Sequence, residues 1–156
     1  MSGVATRGPG RDISDAKHGG ACDGVALTRV YHFSAAHRLV SPHLGPEENA
    51  RVYGQCHRVH GHNYYVEVTV TGTPDPVTGM AADLGALDAI VERELLSRVD
   101  HHYLEEAVPG VITTGESLAR AFFARLAPSV PALARVAVVE TAKNRFAYCA
   151  EGGEPA

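Results

Sequence analysis

The chain has no tryptophan, and aromatic residues make up only 6% of it. It has only 3 cysteines, Cys22, Cys56 and Cys149. That odd count at wide spacing excludes a disulfide framework and favours a reducing compartment. No apolar run approaches the ~20 residues that cross a bilayer, so no membrane partner is expected. Basic charge is not in excess either: Lys+Arg number 14 against 18 Asp+Glu, a net charge of -4. Without a basic face, nucleic-acid binding is excluded as a function class. Residues 1–24 have no apolar segment of the secretory type, and a cytoplasmic protein is expected. What the chain does have is histidine, 9 residues of it. Histidine is the commonest metal ligand and the side chain most easily tuned for proton transfer near neutral pH. With 156 residues, 45% of them hydrophobic, there is enough chain for one domain with a real core.

Residues 1–25 are Gly-rich and poor in apolar side chains, and read as a mobile tail. Residues 152–156 read the same way, leaving a domain over 26–151. Ala26 to Ser34 reads as a strand, with Leu27, Tyr31 and Phe33 on one parity and Arg29 interrupting it. Val40 to Val52 reads as a loop rich in Pro and Gly. His62 to Thr71 is the clearest strand, because Tyr64, Val66, Val68 and Val70 alternate with polar neighbours. Leu84 to Val99 carries a helical stripe of Leu84, Leu87, Val91 and Leu95. Asp83 is its N-cap. A second helix runs from about Thr114 to Leu126. Ala134 to Thr141 and Phe146 to Cys149 are strands. The order implies an α+β fold, an antiparallel four-stranded sheet with two helices on one face.

His60-Gly61-His62 is the sharpest local signal. On an extended chain residues i and i+2 share a face, so both imidazoles can reach one ion. His37 is the best third ligand. Three nitrogens with an open position describe a catalytic zinc site. Solvent-exposed or hydrogen-bonded histidines are the bland alternative. Cys56 lies just before His60, beside Arg58, and is a base, a nucleophile, a ligand or a small buried residue. Asp100-His101 is a proton-transfer pair or a helix C-terminal turn. Thr113-Thr114-Gly115-Glu116 matches a capping box with Thr113 as N-cap and Glu116 at N3. Glu140, at the end of a strand, is solvated or anchors a ligand.

Five ordered motifs make the chain resemble the 6-pyruvoyl-tetrahydropterin synthase / 6-carboxy-tetrahydropterin synthase family. They are Phe33 through Leu39, Cys56 through Tyr64, Asp100 through Leu104, the Thr-x-Glu of Thr114 to Glu116, and Glu140-Thr141. The resemblance covers about Leu27 to Glu151 and implies a T-fold. It implies zinc on His37, His60 and His62, and catalysis by Cys56 with Asp100 and His101. Glu140 would anchor a pterin ring, with Thr114 and Glu116 lining or supporting the pocket. The implied substrate is 7,8-dihydroneopterin triphosphate. The implied assembly is a homohexamer, a dimer of trimers, with active sites at subunit interfaces. Two product branches are open. The Cys56 to His60 spacing and the Asp100 to Leu104 run look like the carboxy enzymes of queuosine and deazapurine biosynthesis. The segments Leu44 to Asn49 and Pro74 to Met80 look like the pyruvoyl enzymes. The spacing lies in the catalytic loop and weighs more, so the carboxy product is expected. The rivals from other classes are a zinc hydrolase in which Cys56 is incidental and a non-catalytic pterin- or purine-binding T-fold module.

Overall fold

The computed structural model describes residues 24–130 and 132–149. The expected tails therefore lie outside the described residues, apart from Gly24 and Val25, and Val25 opens the first strand. Strands β1 (Val25–His37), β2 (His60–Gly72), β3 (Leu133–Thr141) and β4 (Asn144–Cys149) form one sheet in that order. Every pair is antiparallel. Helix α1 (Pro46–Tyr53) and a 3-10 turn (Gly54–His57) fill the β1–β2 connection. Helices α2 (Leu84–Val91), α3 (Ser97–Val99), α4 (Leu104–Ala107) and α5 (Gly115–Leu126) lie between β2 and β3. This is the α+β arrangement expected, with its helices packed on one face of the sheet.

The strand parity decides which face is covered. Phe33, Tyr64, Val66, Val68, Val136 and Val138 are buried on the helix side. They meet Leu87, Val91, Leu95, Leu118, Phe122 and Leu126. The Phe33 ring stacks on Tyr64 with centroids 4.8 Å apart, and Phe122 meets Phe33 edge-on at 6.0 Å. Each such side chain contributes about 1.5–3 kcal/mol of hydrophobic stabilisation when fully buried. Arg29 shares the parity of this face without breaking it. Its guanidinium grips Asp88 of α2 through Nε at 2.9 Å and Nη2 at 2.6 Å, and the Tyr31 hydroxyl donates to the same carboxylate.

Four local expectations are corrected. First, both strands are longer: β1 reaches His37 and β2 starts at His60, because the two ends pair with each other. Second, the expected loop at Val40 to Val52 contains α1. Pro46 suits the first turn, Glu47 and Glu48 favour its N-terminus and Arg51 its last turn. Asn49 is its buried residue, and that side chain accepts from the Ser41 N–H and donates to the Ser41, Leu44 and Gly45 carbonyls. Third, the helix expected over Leu84 to Val99 widens into a π-helical turn at Glu92–Leu96. Its core residues Leu87, Val91, Leu95 and Val99 recur every four positions, which overshoots a 3.6-residue turn, and the wider turn resets that drift. Fourth, the N-cap of α5 is Thr114, not Thr113: the Thr114 hydroxyl accepts from the Ser117 N–H. Glu116 is then one position too early for a capping box. Asp83 caps α2 as expected, accepting from the Ala86 N–H at 3.0 Å.

Gly115 starts α5 against β4. A Cβ there would run into the ring of Phe146. Gly115→Ala should therefore destabilise the protein by about 1–3 kcal/mol, the usual cost of overpacking. Urea denaturation at fixed metal content measures it, and an unchanged midpoint contradicts the packing described.

Candidate active site

The strand register builds the site. His37 lies opposite His60, and Ala35 opposite His62. All three imidazoles therefore project from the same face at the end of the β1–β2 pair. One nitrogen from each lies within 4.8 Å of the others. His37 is buried; His60 and His62 are half-buried.

Two of the rings have their tautomer set by the backbone. His37 Nδ1 lies 3.0 Å from the Thr113 carbonyl, and His60 Nδ1 lies 2.7 Å from the Arg58 carbonyl. A carbonyl only accepts, so each Nδ1 carries the proton and each Nε2 presents a lone pair. Those two Nε2 atoms are 3.1 Å apart. Lone pairs that close repel one another unless a cation accepts both. Nitrogens about 2.1 Å from a tetrahedral ion sit roughly 3.4 Å apart, close to the spacing seen. Burial, first of all, holds the His37 and His62 imidazoles below their ordinary range, which keeps them neutral and able to ligate. Their protonated forms are the costly ones. The donor set therefore fits a metal ion.

The same shifts carry a pH prediction. As pH falls through about 6.5 the unfolded chain takes up protons on these histidines while the folded metal-free protein resists them. The stability they confer on metal-free protein is full above that pH and declines below it. Denaturant midpoints near pH 7.5 and near pH 5.5 check the sign, and a midpoint that rises on acidification contradicts it.

The imidazoles open into a cavity of roughly 540 Å³ that Cys56, Arg58 and Glu140 also line. Glu140 Oε1 lies 3.5 Å from His37 Nε2 and 3.8 Å from His62 Nε2. Cys56 is brought there by the 3-10 turn, whose end is pinned where the Cys56 carbonyl accepts from the Leu39 N–H at 2.8 Å. His57 is used structurally, Nδ1 against the Leu39 carbonyl.

Asp100 and His101 do not join this cavity. They follow α3 and lie along the outer edge of β1, and His101 lines a second cavity with Ser34, Ala36, Gly61 and Asn63. Four of the strand residues there have the opposite parity to His37, His60 and His62, while Ala35 and His62 line that cavity too. Within one chain Cys56 and His101 thus line different cavities, and His62 lines both. The pair itself is formed: His101 Nδ1 is 3.0 Å from Asp100 Oδ1. The Ser34 N–H, foremost, and then His101 hold the Asp100 carboxyl below the usual carboxylate range. His101 has φ of 60°, a left-handed backbone that costs a non-glycine residue energy. Its side chain is 82% exposed. Thr114 and Glu116 also lie off the Cys56 cavity, at the start of α5, and Glu116 is exposed.

Comparison with known proteins matches the 6-pyruvoyl tetrahydropterin synthase family profile to residues 26–151. The chain belongs to this family. It is 43% identical over 132 residues to the 6-pyruvoyl tetrahydrobiopterin synthase of Poecilia reticulata, covering 80% of this chain and 90% of the relative. It is 32% identical over 127 residues to a 6-carboxy-5,6,7,8-tetrahydropterin synthase of Synechocystis, covering 78% and 91%. The structure of Caenorhabditis elegans 6-pyruvoyl tetrahydropterin synthase superposes with a TM-score of 0.77 at 37% identity, over 82% of this chain and 96% of that one. The family resemblance and the T-fold are thereby shown. The relatives of higher identity are named 6-pyruvoyl tetrahydrobiopterin synthases, which favours the pyruvoyl branch over the carboxy branch expected from the loop spacing. Family members are lyases, and among the described residues no helix is long and apolar enough to cross a membrane.

Proposed function

We propose that the chain is a zinc-dependent lyase that eliminates triphosphate from 7,8-dihydroneopterin triphosphate and yields 6-pyruvoyl tetrahydropterin. The carrying observation is the convergence of His37, His60, His62 and Cys56 on one cavity walled by Glu140. Three imidazoles with an open position suit zinc, which when bound supplies Lewis acidity to the side-chain oxygens of the substrate. Cys56 as thiolate takes a proton from a side-chain carbon, and the electron pair released expels triphosphate with cleavage of its C–O bond. Glu140 holds the guanidine-like edge of the pterin through a paired carboxylate interaction.

His101, oriented by Asp100, relays a second proton. Because that pair lies off the Cys56 cavity of its own chain, it serves the cavity of a neighbouring copy, as do Thr114 and Glu116. A homohexamer built as a dimer of trimers, with its sites at the subunit interfaces, meets this requirement. The Cys56–His60 spacing favours the carboxy product as a second reading, supported by the Synechocystis relative.

Chelation tests the proposal. Protein stripped of metal should release no triphosphate from 7,8-dihydroneopterin triphosphate, and one zinc per chain should restore the release. Release that continues undiminished in stripped protein refutes the metal role. No release by zinc-loaded protein leaves a non-catalytic module.

A further inference from the structure

The segment from Asp100 to Glu105 is fastened to β1 by a regular set of bonds. Three N–H groups on the outer edge of the strand end donate to it. The Ser34 N–H donates to Asp100 Oδ1 at 2.9 Å, the Ala36 N–H to the His102 carbonyl at 3.2 Å, and the Arg38 N–H to Glu105 Oε1 at 3.0 Å. The segment thus acts as a short surrogate strand that ends on a carboxylate beside the buried histidine.

That last carboxylate oxygen has a second task. Glu105 Oε1 also accepts from the Thr113 hydroxyl at 2.7 Å. Thr113 is 1% exposed, and its carbonyl is the acceptor for His37 Nδ1. The bonds close a ring: His37 backbone to Arg38, Arg38 N–H to Glu105, Glu105 to Thr113, and Thr113 carbonyl back to the His37 imidazole. One charged oxygen therefore ties the main chain after His37 to the group that orients its ring. Hydrogen bonds to an ionised acceptor are roughly twice as strong as neutral ones, so a carboxylate suits this double load. An imidazole pivots about its fixed end, so a small shift of the Thr113 carbonyl moves Nε2 most.

We propose that Glu105, acting through Thr113, is a positioning residue for the metal site: it fixes the tautomer and the aim of His37. The proposal rests on His37 being a metal ligand. Partners of this kind behind a ligating histidine typically change metal affinity by about 10–100-fold when removed.

The test is competition for Zn2+ between a chromophoric chelator and wild-type, Glu105→Ala, Glu105→Gln, Thr113→Val and Glu105→Ala/Thr113→Val proteins. Co2+ absorption spectra and metal-free melting curves are recorded alongside. Glu105→Ala and Thr113→Val should each weaken Zn2+ binding by about 10–100-fold and alter the Co2+ ligand-field bands. The double variant should be little worse than the weaker single one, because both break the same link. Glu105→Gln keeps an oxygen acceptor and should stay closer to wild type than Glu105→Ala. If Glu105→Ala does not fold, Thr113→Val decides. Folded variants with wild-type Zn2+ affinity and an unchanged Co2+ spectrum overturn the proposal, even if their metal-free melting temperature falls. Wild-type protein that binds no Zn2+ removes the metal reading itself and the clamp with it.

Discussion

Replacing His60 or His62 with alanine should remove tight metal binding and lower triphosphate release by roughly 10³-fold or more, since metal Lewis acidity is worth several kcal/mol and about 1.4 kcal/mol is tenfold. The fold should survive, because both side chains are only half-buried at the end of the sheet. His37→Ala carries the added cost of emptying a fully buried site, which makes it the less clean probe. Metal content by elemental analysis and turnover on the same preparation check the prediction. A folded His60→Ala protein with one tightly held metal and normal turnover contradicts the assignment of the donor set. His37 and His60 present Nε2 lone pairs 3.1 Å apart because both Nδ1 protons are committed to carbonyls. With two ligands, the remaining imidazoles cannot reproduce a closed three-nitrogen face.

Cys56→Ala should have the opposite profile. Metal should stay bound, because the thiol lines the cavity and is not one of the three clustered ligands. Turnover should fall by about 10²–10⁴-fold, the usual worth of a positioned acid or base. A zinc hydrolase that used metal-activated water would tolerate the change, so this variant separates the two enzyme classes. The geometry adds a sharper version. Cys56 and His101 line different cavities within one chain, and the proposed assembly completes the functional set across copies. Assemblies formed by mixing Cys56→Ala and His101→Ala subunits should regain activity that neither variant shows alone. Mixed assemblies as inactive as the separate variants would place both residues in one subunit's site, against the structure.

Much of this was legible in the residue order, for local reasons. The alternation from Tyr64 to Val70 and the His-Gly-His ahead of it need only a strand to be understood. His37 is harder. It joins the other two because β1 and β2 pair in a register that sets it opposite His60, and its place in the resemblance anticipated that. Other features depend on contacts that no local pattern carries. Helix α1 has little apolar periodicity, and its one buried residue, Asn49, works by hydrogen bonds. Thr113 looked like a cap, yet its hydroxyl is claimed by Glu105 and its carbonyl by His37, which passes the capping task to Thr114. Glu105 carried no signal at all, since its effect runs through the main chain of two other segments. The separation of Asp100–His101 from the Cys56 cavity appears only once the loop after α3 is laid along β1.

The identity of the pterin product decides between the two branches and tests the lyase reading at the same time. Zinc-loaded protein is incubated with 7,8-dihydroneopterin triphosphate under anaerobic conditions, and the products are read by mass spectrometry. The expected products are inorganic triphosphate and the mass of 6-pyruvoyl tetrahydropterin, with no acetaldehyde. A 6-carboxy tetrahydropterin product with acetaldehyde would contradict the proposed function.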